Sequence, residues 1–385
     1  MDVAIVGGGL SGLSTGLALQ LAGHRVTVLD PRPLAARDAW GLVLWPPGTR
    51  ILADLGALDD VLDRGTTVGT IRLSDPRGDD WINVDTRRLG VGVFAGVLPS
   101  RLDDVLRSHA VKAGVTVVQG AGPVTPARHG RGWRITAHGA EPRTVTARLL
   151  VAADGPGSPV RDLLGIKADR WRPRDQVVRT GIGGPLPVAE SCQVLGNGWS
   201  AGHAALGDRT WIYTITRPGG AASAAEVAAR QLPAPGVAAA CAGLARVDEV
   251  RPWRVRADRW ATDGAILIGD AAHGMLPYFG LGGTLSLEDV PVVVEVVGAA
   301  LRRDELGAQR LGAFRAARIR RISYAQRLSS IFAMALTRDF PGLRSVRNQQ
   351  LRHVARNGEL MQEYFRSLAL STVPPLRTRL QLGLP

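Results

Sequence analysis

Asp2-Val-Ala-Ile-Val6 runs straight into Gly7-Gly-Gly-Leu-Ser-Gly12, and the apolar positions Leu13, Leu17, Leu19 and Leu21 follow before Gly23. Arg25 to Leu29 is a second apolar run, and it closes on Asp30. An extended run, a glycine turn, a helical period and a second extended run ending in an acid predict a βαβ unit that binds a dinucleotide. Gly7 permits the sharp turn, Gly9 lets the backbone approach a pyrophosphate with no β-carbon in the way, and Gly12 lets the helix pack closely on the strand. The helix start supplies unpaired N–H groups and the positive end of its dipole for the phosphates. Asp30, eighteen residues after Gly12, is placed to accept hydrogen bonds from a ribose 2′-hydroxyl. Gly120-Ala-Gly122 and Gly196-Asn-Gly198 also pair glycines, but neither opens a helical period after a buried strand.

The chain has 385 residues, 45% of them hydrophobic, enough for one large core or two smaller ones. Its longest apolar stretch, Val290 to Leu301, falls short of the ~18 residues of a membrane span and carries Glu295, so no span is expected. No basic region precedes the first strand, so no signal peptide is expected. Cys192 and Cys241 match no metal or redox spacing, which predicts reduced thiols in a cytoplasmic protein and no metal. The net charge is +13, but residues 301–385 hold sixteen arginines against five acids, so +11 of it lies there. A GC-rich coding sequence produces such arginine, alanine, glycine and proline enrichment without functional demand. With no zinc spacing, RNP-like aromatic pattern or recognition helix, no nucleic-acid partner is expected. The basic tail suits a phosphate-bearing cosubstrate or an acidic partner protein. Arg318 and Arg321 read as a solvated helix face.

Further along, Pro31 to Pro47 reads as loop and Thr49 to Leu58 as a short helix. Strands are expected at Thr70–Ser74, Trp81–Val84 and Val91–Val97, then a helix after Pro99-Ser-Arg101 with Ser100 as its N-cap. Val115–Val118 and the apolar run Ala147–Ala153 read as strands of the nucleotide domain, with a hairpin around Trp133–Ala137 between them. Val177 to Thr216 predicts an antiparallel sheet, and Ala221 to Leu244 an alanine-rich helix broken by Pro233 and Pro235. Ala265–Ile268 is the last buried strand. A long helix begins near Gly282 and contains Pro291, and from Gly307 to Pro374 the chain is helical and basic. Nucleotide-domain strands therefore recur near residues 2, 25, 115, 147 and 265, with antiparallel segments interleaved.

Two further stretches sit at strand ends. Leu150-Val-Ala-Ala-Asp154-Gly155 leads to Ser158 and Arg161, which suit capping and bracing of a short helix as well as a phosphate contact. Gly269-Asp270-Ala-Ala-His273 leads to Pro277, Gly280, Gly282, Gly283 and Thr284. Asp270 at a strand end suits a ribityl or ribose hydroxyl, and the loop Pro277 to Thr284 offers N–H groups to a pyrophosphate or a flavin edge. His273 reads as structural.

The glycine turn, Asp154-Gly155 and Gly269-Asp270, in this order and spacing, resemble the para-hydroxybenzoate-hydroxylase-type FAD-dependent monooxygenases over at least residues 1–300. The resemblance implies an α/β fold, with a Rossmann-like FAD-binding domain interleaved with an antiparallel β-sheet substrate domain and followed by C-terminal helices. The implied boundaries are FAD-binding parts at 1–75, 101–170 and 258–303, substrate-domain parts at 76–100 and 171–257, and a helical region at 304–385. It implies one FAD, with NADPH or NADH as a transient cosubstrate. One atom of O2 would pass through a flavin C4a-hydroperoxide to an electron-rich aromatic or polycyclic small molecule, giving hydroxylation or epoxidation. Gly7, Gly9, Gly12, Asp30, Arg101, Asp154, Gly155, Gly269, Asp270, Pro277, Gly280, Gly282, Gly283 and Thr284 would bind cofactor, with Pro277 and Gly280 beside the reactive edge. No catalytic acid or base transfers. Arg179, His203, Trp211 and Tyr213 lie in the inserted sheet, where substrate would face the flavin. The sequence departs from the family at Asp30 (commonly Glu), Leu281 (commonly Gln) and Thr284 (commonly Asn). Two alternatives stay open: a flavin reductase or dehydrogenase of related fold, and a basic binding protein on a flavin fold. No WxWxIP signature supports a flavin halogenase. Oligomeric state is open.

Overall fold

The computed structural model describes residues 2–33, 38–217, 237–242, 244, 246–337 and 341–384. Its central sheet runs in the order Ala261–Thr262, Ala265–Leu267, Leu149–Ala152, Val3–Val6, Val26–Asp30, Thr116–Gln119. The last five strands are parallel, with Val3 beside both Leu149 and Val26, and Ala261–Thr262 is an antiparallel edge. All five expected nucleotide-domain strands therefore meet in one sheet. Val3–Val6, Leu149–Ala152 and Ala265–Leu267 read as unbroken apolar runs because both their faces are covered, whereas the edge strand Thr116–Gln119 is only partly buried. Helices Leu10–Leu21 and Gly282–Arg303 pack against each other over this sheet. Strand order reverses on either side of Val3–Val6, which makes the carboxyl end of that strand the switch point where such sheets bind ligands.

A second sheet of seven strands has the order Asp248–Val250, Val177–Gly183, Thr210–Thr216, Ser200–Ala205, Glu190–Leu195, Thr70–Ser74, Asp80–Asp85. It is antiparallel except where Glu190–Leu195 runs parallel to Thr70–Ser74. Thr70–Ser74 thus joins the second sheet although it precedes residue 76. Three-stranded sheets are formed by Val124–His129, Gly132–Ala137 and Arg143–Ala147, and by Leu42–Leu44, Ala95–Val97 and Thr66–Thr67.

Several local expectations need correction. The span Pro31 to Pro47 is not all loop. Leu42–Leu44 is a strand, and helix Pro46–Asp54 starts on its two prolines, whose missing N–H groups cost nothing at a helix start. The strand expected over Val91–Val97 is confined to Ala95–Val97. The helix Pro99–Lys112 is capped at Leu98, and the Ser100 hydroxyl donates to Asp38 instead. The alanine-rich helix expected over Ala221–Leu244 lies mostly outside the described residues, and its part Val237–Ala242 is helical. Helix Gly282–Arg303 contains Pro291.

The largest correction concerns the basic C-terminal helices. Arg318 and Arg321, on helix Ala313–Thr337, are buried rather than solvated. Arg318 reaches Asp289 and Glu288, both at 2.9 Å, and Arg321 reaches Glu288 at 3.3 Å. Arg318 also donates to the Leu285 carbonyl, and Arg321 to the carbonyls of Leu368 and Thr372. Buried guanidinium groups persist only when carboxylates and carbonyls replace their water, and this network supplies both. No helix among the described residues is long and apolar enough to cross a membrane.

Candidate functional site

The three sequence motifs converge at the carboxyl end of strand Val3–Val6. Gly7 has φ +107°, and a β-carbon there would strike the Ala153 carbonyl, one residue before Asp154. A β-carbon on Gly12 would strike the Gly7 carbonyl, so turn, helix and neighbouring strand end are in backbone contact. Gly269, at φ +55°, lies against the Ser11 hydroxyl. The buried Arg161 adds a side-chain tie, donating to the carbonyls of Pro156 (3.2 Å) and Ala271 (3.1 Å). Arg161 and Ser158 are therefore braces, since Ser158 caps helix Pro159–Leu163 by accepting from the Arg161 N–H.

The donors at this junction suit a pyrophosphate. Among the described residues, the N–H groups of Gly8 through Gly12 have no backbone acceptor, because the first helical bond is Leu13 N–H to the Gly9 carbonyl. The N–H groups of Leu281, Gly282, Gly283 and Thr284 are likewise without one at the start of Gly282–Arg303. Two helix starts with open donors form an anion cradle.

Asp30 is fully buried beside Gly8, whose β-carbon would come within 2.6 Å of the Asp30 β-carbon. Its carboxylate accepts from the Arg32 backbone and guanidinium (3.1–3.2 Å) and from Gln119 Nε2 (3.0 Å). The half-exposed Arg32 also holds Asp103 at 3.0 Å, and its Nη2 lies 3.6 Å from where a Gly9 β-carbon would stand. Sequence reasoning passed over Arg32. The carboxylate–arginine spacing Asp30-x-Arg32 was its only signal. Burial pushes the Asp103 carboxyl up to about 6, with Arg32 opposing and Asp30 adding to the rise.

Asp154 turns inward. It accepts from the Ser158 hydroxyl and from the Val160 N–H (3.0 Å), and burial raises its pKa. Asp270 differs. It is open to solvent, and among the described residues no hydrogen bond or ion pair engages its carboxylate. The surrounding protein raises its pKa, with His273 opposing and Asp289 adding. An acid that is accessible and unpartnered is suited to a ligand hydroxyl. Beneath it, the wholly buried Asp289 accepts from the Gly269 N–H (3.1 Å), His273 Nε2 (2.7 Å) and Arg318 Nε (2.9 Å). Burial alone would raise Asp289, but His273 and Arg318 hold it below the usual carboxylate range. His273 is thus structural, as its position suggested.

In the loop that follows, Pro277 is exposed, its carbonyl accepts from Gly280 N–H (3.0 Å), and Phe279 and Gly280 both have positive φ. Thr284 is buried with its hydroxyl taken by Trp45 N–H (2.9 Å), leaving its backbone N–H as the open group. Gly283 packs close to Leu10 and Leu44. Arg101 is bound to Asp208 and to the Arg64 carbonyl, away from the glycine turn's own hydrogen bonds. A cavity of about 360 Å³ beside Arg50, Glu288, Pro291 and Arg318 is lined by none of the expected site residues.

The second sheet separates the four residues expected at the substrate. Tyr213 packs with Leu73, Val178, Leu195 and Ile215 against Leu276 and Tyr278 of the same loop. Trp211 shares this face and packs on Tyr213 with the rings tilted by 33° and their centroids 4.5 Å apart, while its Nε1 donates to Thr180. Arg179 pairs opposite Thr214 and His203 opposite Ile212, on the alternate positions of the pleat. That face packs with Val194, Ala201, Ala240 and Cys241 instead. Arg179 and His203 therefore point away from the loop, and the four do not form one pocket.

The FAD binding domain family matches residues 1–184 and 199–326 of the chain. Among known proteins, 6-methylpretetramide 4-monooxygenase of Streptomyces rimosus is 31% identical over 345 residues, covering 82% of this chain and 80% of the relative. p-Nitrophenol 4-monooxygenase of Pseudomonas putida DLL-E4 superposes with a TM-score of 0.82 at 20% identity, covering 97% of this chain and 99% of that one. HpxO of Klebsiella pneumoniae, solved with FAD and uric acid, superposes at 0.79 with 22% identity, covering 96% and 97%. The open N–H cradle and the unpartnered Asp270 fit the cofactor that this match brings. The chain belongs to the FAD binding domain family of para-hydroxybenzoate-hydroxylase-like flavoproteins and is an FAD-dependent monooxygenase.

Proposed function

We propose that the enzyme takes hydride from NADPH, or NADH, docking transiently, and inserts one atom of O2 into an electron-rich aromatic or polycyclic small molecule, by hydroxylation or epoxidation. The observation that carries this reading is the apolar wall of Leu73, Val178, Leu195, Tyr213 and Ile215 closing on Leu276 and Tyr278, in the loop between Asp270 and Gly282. A flat apolar ring suits such a wall, and p-nitrophenol, named for a protein of the same fold, is a ring compound of this kind. In this reading the N–H groups between Gly7 and Gly12 take the pyrophosphate, and Gly155 keeps the approach open. Asp30, with Arg32, takes a ribose. Asp154 serves FAD and the nicotinamide nucleotide, and Asp270 a ribityl hydroxyl. Gly269 sets the turn that presents Asp270. Pro277, Gly280, Gly282, Gly283 and Thr284 line the ring edge, and Arg101 joins them on release from Asp208. Bound FAD supplies the redox and oxygen-transfer chemistry. The chain orients the substrate, excludes water, and places the positive end of helix Gly282–Arg303 toward developing negative charge. Two unlinked, buried cysteines support a cytoplasmic setting.

The test is anaerobic addition of NADPH, then of NADH, to the FAD-loaded enzyme, followed by isotopically labelled O2 and a panel of phenols and fused-ring phenols. Bleaching of the flavin band and one labelled oxygen in a product are expected. Bleaching with no labelled product across the panel would favour a reductase, and no bleaching by either nicotinamide would remove both as electron donors.

A further inference from the structure

The face of the second sheet turned away from the flavin-edge loop carries three metal-ligating side chains in one place. Glu190 and Cys192 are alternate residues of one strand and share a face, and His203 is the direct cross-strand partner of Cys192. One ligand atom from each lies within 4.8 Å of the other two. The three residues are 8%, 1% and 0% exposed. His203 Nε2 stands 3.1 Å from Glu190 Oε1, close to the separation of two ligands that both bind one ion at about 2.0–2.2 Å. His203 Nδ1 is buried with no hydrogen-bond partner, as are the hydroxyls of Thr210 and Thr214, which flank His203 on the same face of the neighbouring strand. A buried polar atom left unpaired costs about 1–3 kcal/mol, so the orphaned ring nitrogen of His203 calls for a ligand that the protein itself does not supply.

We propose that Glu190, Cys192 and His203 bind a transition-metal cation of the Zn2+ class, leaving one coordination position for water. A sulfur, an imidazole nitrogen and a single carboxylate oxygen form a donor set that suits zinc and disfavours magnesium or calcium. On binding, the Cys192 S–H proton passes to solvent as the metal–sulfur bond forms. Arg72 does not block the site. It is the cross-strand neighbour of Cys192, and it is drawn to Asp80 at 3.2 Å and to the other Glu190 oxygen at 3.7 Å. The charges then close. A dication with Arg72 balances Asp80, Glu190 and the Cys192 thiolate. The metal would clamp strands Glu190–Leu195 and Ser200–Ala205 from behind, opposite the wall that carries Leu195 and Tyr213. The sequence concealed this, because Cys192 and His203 meet through strand register and not through any ligand spacing.

The test is metal content and X-ray absorption of the flavin-loaded enzyme, purified, loaded with Zn2+ and challenged with a chelator. One zinc per chain is expected, with a sulfur neighbour at about 2.3 Å. Cys192→Ser and His203→Gln should each weaken retention at least tenfold, and Cys241→Ser should not. Folding of each variant is read from circular dichroism and retained flavin. A wild-type enzyme that is folded and flavin-loaded but keeps no zinc overturns the proposal without any variant. Zinc held equally well by folded Cys192→Ser and His203→Gln overturns it too.

Discussion

Arg32 stands between two acids that compete for it, and the loser is Asp103. Asp30 is fully buried and takes both the fork and the backbone N–H of Arg32, so Asp103 keeps a single Nη2 contact. Burial, with Asp30 adding, raises the Asp103 carboxyl from 3.8 to about 6 against the pull of Arg32. A folded-state value above the unfolded one means that the native chain holds this proton more tightly. Its contribution to stability is therefore complete below about pH 4 and is lost as pH rises to about 6. Two pKa steps at about 1.4 kcal/mol each set an upper bound of about 3 kcal/mol. Asp103→Asn has no proton to lose. Its unfolding free energy should lose this slope between about pH 4 and 6, and it should be the more stable protein at pH 7. Urea unfolding across that range measures both, and parallel curves for variant and wild type would place the titration in another group. Asp289, held low by His273 and Arg318, acts only below this window and with the opposite sign.

The first βαβ unit is a junction of backbones, and its glycines divide into two kinds. Gly12 lies against the Gly7 carbonyl, with the Ala153 β-carbon 3.3 Å from where its own would stand, so Gly12→Ala must push the helix off the strand. Gly9 has only the Arg32 guanidinium near its β-carbon position among the described residues, at 3.6 Å. Gly9→Ala should leave the flavin-free protein within about 1 kcal/mol of wild type while weakening FAD binding at least tenfold, because the added methyl occupies the pyrophosphate approach. Gly12→Ala should lose stability first, by about 1–3 kcal/mol as overpacking does. Thermal unfolding without FAD and a fluorescence titration with it separate the two, and equal stability losses would deny the distinction. This unit was legible in the sequence because everything it needs is local: a change of period from extended to helical, glycines at fixed offsets, and an acid at the second strand's end. The faces of the second sheet were not. Tyr213 and His203 look equally suited to a pocket as letters, and only the pairing of His203 with Ile212 puts them on opposite sides. Arg318 was hidden for a similar reason. On its own helix it reads as a solvated charge, and its partners Glu288 and Asp289 sit about thirty positions earlier, inside an apolar helical run.

That buried network joins the basic C-terminal helices to the flavin side of the molecule, and its two arginines have different reach. Arg318 touches Asp289, which also accepts the Gly269 N–H and His273 and so sets the turn that presents Asp270. Arg321 touches Glu288 and the carbonyls of Leu368 and Thr372, so its ties run outward to helix Gly358–Ala369 and the segment after it. Removing either guanidinium takes one cationic partner from a buried carboxylate that keeps its others, a loss bounded by the cost of a fully broken buried pair, about 3–5 kcal/mol. Arg318→Met and Arg321→Met should therefore both lower the unfolding temperature. Only Arg318→Met should also loosen FAD, by tenfold or more, because Asp289, left with His273 and the Gly269 N–H, lies one hydrogen bond from the Gly269-Asp270 turn. Arg321→Met should keep FAD affinity within about threefold, since its loss falls on Glu288, which among the described residues has no hydrogen bond or ion pair to that turn. Unfolding measured on the flavin-free proteins and FAD dissociation constants measured on the folded ones make the comparison. An equal fall in FAD affinity for the two variants would mean that the C-terminal helices act on the site as one block, and no fall for Arg318→Met would mean that Asp289 holds the turn without help.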